Sequence, residues 1–80
     1  MELPDNIYEQ VTELSEQGNT CMDADDHAGA MRCWLQALDK LPVPANDWEA
    51  YAWLCASLGD ASFMSGHFPE ALQYFVDALN

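Results

Sequence analysis

Positive charge is almost absent from this 80-residue chain: Arg32 and Lys40 stand against fourteen Asp and Glu, giving a formal net charge of −12. Such a balance excludes recognition of nucleic acid phosphates or an anionic membrane surface, both of which require basic contacts. Long apolar runs are missing as well. Nowhere do eighteen apolar residues follow one another, and the first thirty residues hold no basic start followed by an apolar stretch. Neither a membrane span nor a signal peptide is therefore expected, and the reading is cytoplasmic. Cysteine is sparse, with three residues and no C-x-x-C spacing. Cys21, Cys33 and Cys55 fall on apolar helix faces and read as buried free thiols in a reducing compartment, not as disulfides or metal ligands.

Catalytic signatures are lacking too. There is no Gly-rich phosphate loop and no Ser or Cys set beside a base in a recognisable local arrangement, so no catalytic residue, no cofactor and no enzymatic activity are expected. The run "DADD" at 23–26, followed by His27, lacks the closing Glu of a calcium loop. It reads as a solvated turn in which Asp25 or Asp26 caps the next helix. His27 and His67 read as exposed turn residues, since no Cys or carboxylate accompanies either at zinc spacing; no metal ligand is expected.

What the chain does contain is half its residues in hydrophobic types, enough for a core in a single small domain. It also contains itself twice. Sliding the sequence by 41 residues brings Gly18 onto Gly59, Ala30 onto Ala71, Trp34 onto Phe75, Ala37 onto Ala78 and Leu38 onto Leu79, without a gap. Met22 also meets Phe63, Met31 meets Leu72 and Leu35 meets Val76. A repeat of this length signals a supersecondary unit that buries its apolar face against a stacked neighbour.

Within each unit the period is helical: Ile7, Val11, Leu14 and Cys21 recur at threes and fours, as do Met31, Trp34, Leu35 and Leu38. Asp5 or Asn6 after Pro4 is placed to cap a first helix, and Asn46 or Asp47 a third. Pro69 suits the first turn of a fourth helix, Gly66 the tight turn before it, and "LPVP" at 41–44 a break between units. The pattern predicts an all-α chain with helices over 6–23, 27–40, 47–65 and 68–79. It forms a single domain over 1–80, with repeat units over 5–44 and 45–80. The small residues at 18, 30, 37, 59, 71 and 78 permit close helix approach, and Trp34 and Phe75 fill the remaining space.

Gly18, Ala30, Trp34, Ala37 and Pro42, with Leu58, Gly59, Gly66, Ala71, Phe75 and Ala78 in the second unit, resemble the tetratricopeptide repeat over nearly the whole chain. The departures are a period of 41 instead of 34, Cys21 and Ser62 where an aromatic is usual, and Asp25 where Gly is usual. Seven surplus residues are two helical turns, so both first helices are expected to start two turns early. The resemblance implies two antiparallel helix pairs in an α-solenoid and a concave groove lined by the first helix of each pair. Thr12, Ser15, Glu16, Asn19, Met22 and Asp23 line it in the first unit, with Trp53, Ala56, Ser57, Asp60, Phe63 and Met64 in the second.

The function expected is a protein-interaction module. Glu16, Asn19, Asp23, Trp53, Ser57, Asp60, Phe63 and Met64 are its partner-binding candidates, and the acidic charge favours a basic protein or peptide partner. Resemblance to small free-standing bacterial members of the family, some of them immunity proteins beside secreted toxins, implies a toxin as one such partner. A secretion or assembly chaperone, or a self-associating scaffold, are the alternatives. The last helix carries Phe75, Val76 and Leu79 with no polar capping helix after it, so it is expected to form a homo-oligomer contact or to belong to the front part of a longer array.

Overall fold

The computed structural model describes residues 3–43 and 48–79. They form four helices and, among the described residues, no strand: α1 (Asp5–Asp23), α2 (His27–Lys40), α3 (Glu49–Met64) and α4 (Phe68–Leu79). The all-α class follows the sequence period, and α2 and α4 keep the expected limits.

The starts of α1 and α3 differ from expectation. Pro4 is the N-cap of α1, and its carbonyl accepts from the amides of Ile7 at 3.0 Å and Tyr8 at 2.9 Å, with no side-chain cap. Asp5 is therefore not the cap but the first helical residue, where its charge complements the positive end of the helix dipole; Asn6 lies inside the helix. Trp48 is the N-cap of α3, again without a side-chain cap. The proposed caps Asn46 and Asp47 lie outside the described residues. For α2 the cap is Asp26, whose Oδ1 accepts from the Gly29 amide at 3.0 Å.

The two turns inside the helix pairs are built alike. Asp25 at φ +61 and Gly66 at φ +83 occupy the left-handed region, and each is followed by a residue whose amide reaches back five positions. Asp26 N–H donates to Cys21 O at 2.8 Å, and His67 N–H donates to Ser62 O at 2.8 Å. This is the Schellman ending of a helix. Gly is the usual residue there, but Asp tolerates the left-handed region better than most side chains do, which is how Asp25 occupies it. Pro69 is the second residue of α4, where a missing N–H removes no intrahelical bond. Leu41 turns extended at φ −72 and ψ 129 ahead of Pro42 and closes α2.

Neighbouring helices pack in chain order, α1 on α2, α2 on α3 and α3 on α4, in a slab of 35 × 26 × 13 Å. The core is Val11, Ala30, Trp34, Ala37, Leu41, Ala50, Leu54, Leu58 and Ala61. α3 is the most enclosed element, with Ala50, Leu54, Cys55, Leu58, Gly59, Ala61 and Ser62 all buried. Burial pushes the Cys55 thiol above its ordinary value, against the opposing hydrogen bond with Tyr51, and all three cysteines are free. Cys21 and Cys33 are only half-buried. The Cys21 thiol is also raised, first by burial and then by Cys33 beside it.

Each helix pair is closed by one ring over one glycine. Trp34 is 3% exposed, lies against Gly18 and donates its indole N–H to Ser15 O at 3.3 Å. A Cβ on Gly18 would stand 2.7 Å from Trp34 Cδ1, and a Cβ on Gly59 would stand 2.7 Å from Phe75 Cδ1; real carbons do not approach so closely. Trp34→Ala should cost about 3–5 kcal/mol by lost transfer energy and a cavity. Gly18→Ala gives the sharper test. Helix propensity alone would stabilise it by about 1 kcal/mol, whereas overpacking against the indole costs about 1–3 kcal/mol. A lowered urea midpoint for Gly18→Ala is expected; a raised midpoint would contradict the ring contact.

Candidate partner-binding surface

Charge and aromatic surface are distributed unevenly over the four helices. α1 contains no Lys or Arg. Asp5, Glu9, Glu13, Glu16 and Asp23, at spacings of four, four, three and seven, are all exposed and lie on the side of the helix away from Val11 and Gly18. The result is a carboxylate row about 27 Å long at the helical rise of 1.5 Å per residue. On α3, Trp53, Ser57, Asp60 and Met64 follow one another at i, i+4, i+7 and i+11 on the arc that the core leaves open.

The expected groove residues are spread over α1 and α3 and differ in exposure. Glu16, Asn19 and Asp23 are exposed along α1, and Asp60 is exposed on α3. Met22 is half-buried and packs against the core. Ser57 is half-buried and its hydroxyl donates to Trp53 O at 2.9 Å, one turn earlier in the same helix. Phe63 and Met64, each 60% exposed, stand at the far end of α3, about 15 Å from Trp53 along the axis. There Phe63 meets Phe68 edge to face at 5.4 Å between ring centres.

Of the eight candidates, Trp53 alone lines a cleft at the starts of α1 and α3. Between the starts of α1 and α3 lies a cleft of about 420 Å³ lined by Leu3, Asp5, Tyr8, Val11, Trp48, Glu49, Ala50 and Trp53. Trp48 is held in place by its indole N–H, which donates to Pro42 O at 2.8 Å. Two indoles, a phenol and two carboxylates share this cleft, and neither Arg32 nor Lys40 lines it. Sequence reasoning missed Tyr8, Trp48, Asp5 and Glu49 as site residues. A usable signal was present in "DWEAYAW" at 47–53, where acidic and aromatic residues crowd into the expected early turns of α3.

The self-association candidates also divide. Phe75 is half-buried over Gly59 and does not belong to the open face. Val76 and Leu79 are exposed, and with Phe68 and Leu72 they form a row along α4. His27, expected in an exposed turn, is half-buried at the first position of α2, and its Nε2 is enclosed without a hydrogen-bond partner. His67 is exposed. Among the described residues no group of three or more His, Cys, Asp or Glu is placed to hold a metal ion, and no helix is long and apolar enough to cross a membrane.

Against known protein families, curated proteins and solved structures, the chain finds no match. The site must be judged on its own chemistry.

That chemistry makes the surface attractive to cations. Caesium should quench the exposed tryptophan emission more than iodide does, each relative to free N-acetyltryptophanamide, and the difference should shrink as salt rises. Equal relative quenching at low salt would show that the carboxylates do not bias the surface around Trp53.

Proposed function

We propose that this chain is a non-catalytic interaction module of two tetratricopeptide-like helix pairs that binds a basic protein or peptide. The observation that carries this reading is the carboxylate row of α1. It holds no cation along its length, and its first member, Asp5, lines the aromatic cleft. Charges on such a row raise the encounter rate with a cationic partner, and desolvated aromatics then slow its departure. The repeat reading is supported by the turns: the bonds Asp26 to Cys21 and His67 to Ser62 lie 41 residues apart, as do Asp25 to Met22 and Gly66 to Phe63. Trp34 over Gly18 and Phe75 over Gly59 are separated by the same interval.

Two narrower forms share this mechanism. A bacterial immunity protein in the cytoplasm would cover the active site of a basic toxin; a secretion or assembly chaperone would hold an amphipathic segment of its client. They differ in whether the partner's activity is silenced on binding. Capture of a protein from the native host at low salt, its release at high salt and its loss with Glu16→Lys/Asp23→Lys are expected, with helical content unchanged. A partner retained by both the variant and high salt would contradict the proposal.

A second reading, self-association into a dimer or scaffold, is favoured by α4. Leu72 is 66% and Leu79 is 87% exposed. Met31 and Leu38, at the matching places on α2, pack on the core, where the Ser62 hydroxyl of α3 points to Met31 Sδ at 3.8 Å. The row on α4 thus offers a second copy the kind of surface that α2 offers α3. Like charges oppose this pairing, so salt should promote it, the reverse of its effect on a basic partner. Sedimentation at micromolar concentration should report twice the 8.9 kDa chain mass, and Val76→Glu should return it to monomer. A monomer at both low and high salt would contradict this second reading.

A further inference from the structure

The cleft between the starts of α1 and α3 combines features that rarely serve packing alone. It is concave, and its volume of about 420 Å³ falls in the range of ligand sites. Tyr8 is 59% and Trp53 39% exposed, so these rings keep their surface open to the cleft and solvent. Trp48 cannot donate its N–H to a ligand, since Pro42 O already accepts it; what the indole has left to offer is its face. Asp5 and Glu49 supply acceptors and negative charge, while among the described residues neither Arg32 nor Lys40 lines the cleft. An anion would meet two carboxylates there, and a neutral apolar group would leave both of them desolvated without a partner. A protonated or quaternary organic cation satisfies both requirements at once: aromatic faces attract it through their quadrupoles, and the carboxylates pair with it.

We propose that this cleft is a binding site for an organic cation, in the first instance the ammonium or guanidinium head of a Lys or Arg side chain carried by a protein partner. The choice of source rests on the basic-partner reading; the cation chemistry of the cleft does not. Such a side chain would enter between Tyr8 and Trp53 with its head toward Asp5 and Glu49, and its alkyl stem would lie against Leu3 and the open ring faces. It would act as an anchor at one end of the α1 carboxylate row.

The test is a heteronuclear NMR titration of the 80-residue protein at fixed ionic strength with three probes: N-acetylarginine amide, its neutral analogue N-acetylnorleucine amide, and a short arginine-containing peptide. Saturable shifts of the Trp48 and Trp53 indole resonances, but not that of Trp34, are expected with the arginine compounds and not with the norleucine compound. Glu49→Gln, a substitution at an exposed position, should weaken binding about fivefold, and Trp53→Leu by a similar factor. Asp77→Asn on α4 should leave it unchanged. Saturation by the amide together with the absence of any basic protein partner would keep the cation site and move its ligand to a free small molecule. If a basic protein binds and Glu16→Lys weakens it while Glu49→Gln and Trp53→Leu do not, the cleft assignment is overturned and the basic-partner reading stands. Equal shifts with the norleucine compound would overturn the cation chemistry itself.

Discussion

The contact on which the rest depends is an aromatic ring lying on a helix backbone at a glycine. Within each pair, a side chain at position 18 or 59 would hold the two helices apart; its absence lets Trp34 or Phe75 settle against the opposing helix. In a chain this short, with limited apolar area to bury, close approach of backbones is an efficient way to raise contact per residue. Small residues beside the rings serve the same end, and Ala30, Ala37 and Ala71 are fully or nearly fully buried. The order of helices then follows, because each pair leaves an apolar flank that the next must cover. α3 shows the outcome: it packs on α2 and α4 and is buried over most of its circumference.

Much of this was legible in the residues. Val11 and Trp34 announce their helix faces by spacing, and the 41-residue offset aligns the glycines and rings that turn out to touch. Helix starts were less legible, because Pro4 and Trp48 cap with backbone geometry and no side-chain bond, whereas sequence signals report side-chain caps. Asp25 was hard for a related reason. A left-handed residue is normally betrayed by Gly, and here the same conformation is held by Asp.

The candidate surface was legible in its residue types and not in its location. Trp53, Asp23 and Asp60 do stand in the open, but an alignment of helix faces cannot say where two helices splay apart to leave a cleft. That depends on where α1 and α3 begin, and on Trp48 being fixed by a carbonyl in the preceding loop. Phe75 illustrates the same limit in reverse. Val76 beside it is exposed, yet the Phe75 ring lies over the glycine opposite. The outward surface is therefore divided between a carboxylate row with an aromatic end on α1 and α3, and an apolar row on α4.

If ring-on-glycine contacts organise both pairs, the glycine protons must lie in the shielding region of those rings. Assigned proton NMR of the 80-residue chain is the direct measurement. It should show upfield-shifted Hα resonances at Gly18 and Gly59, with cross-relaxation from Gly18 to the Trp34 indole and from Gly59 to the Phe75 ring. Glycine shifts at random-coil values with no such cross-relaxation would contradict the account at its foundation.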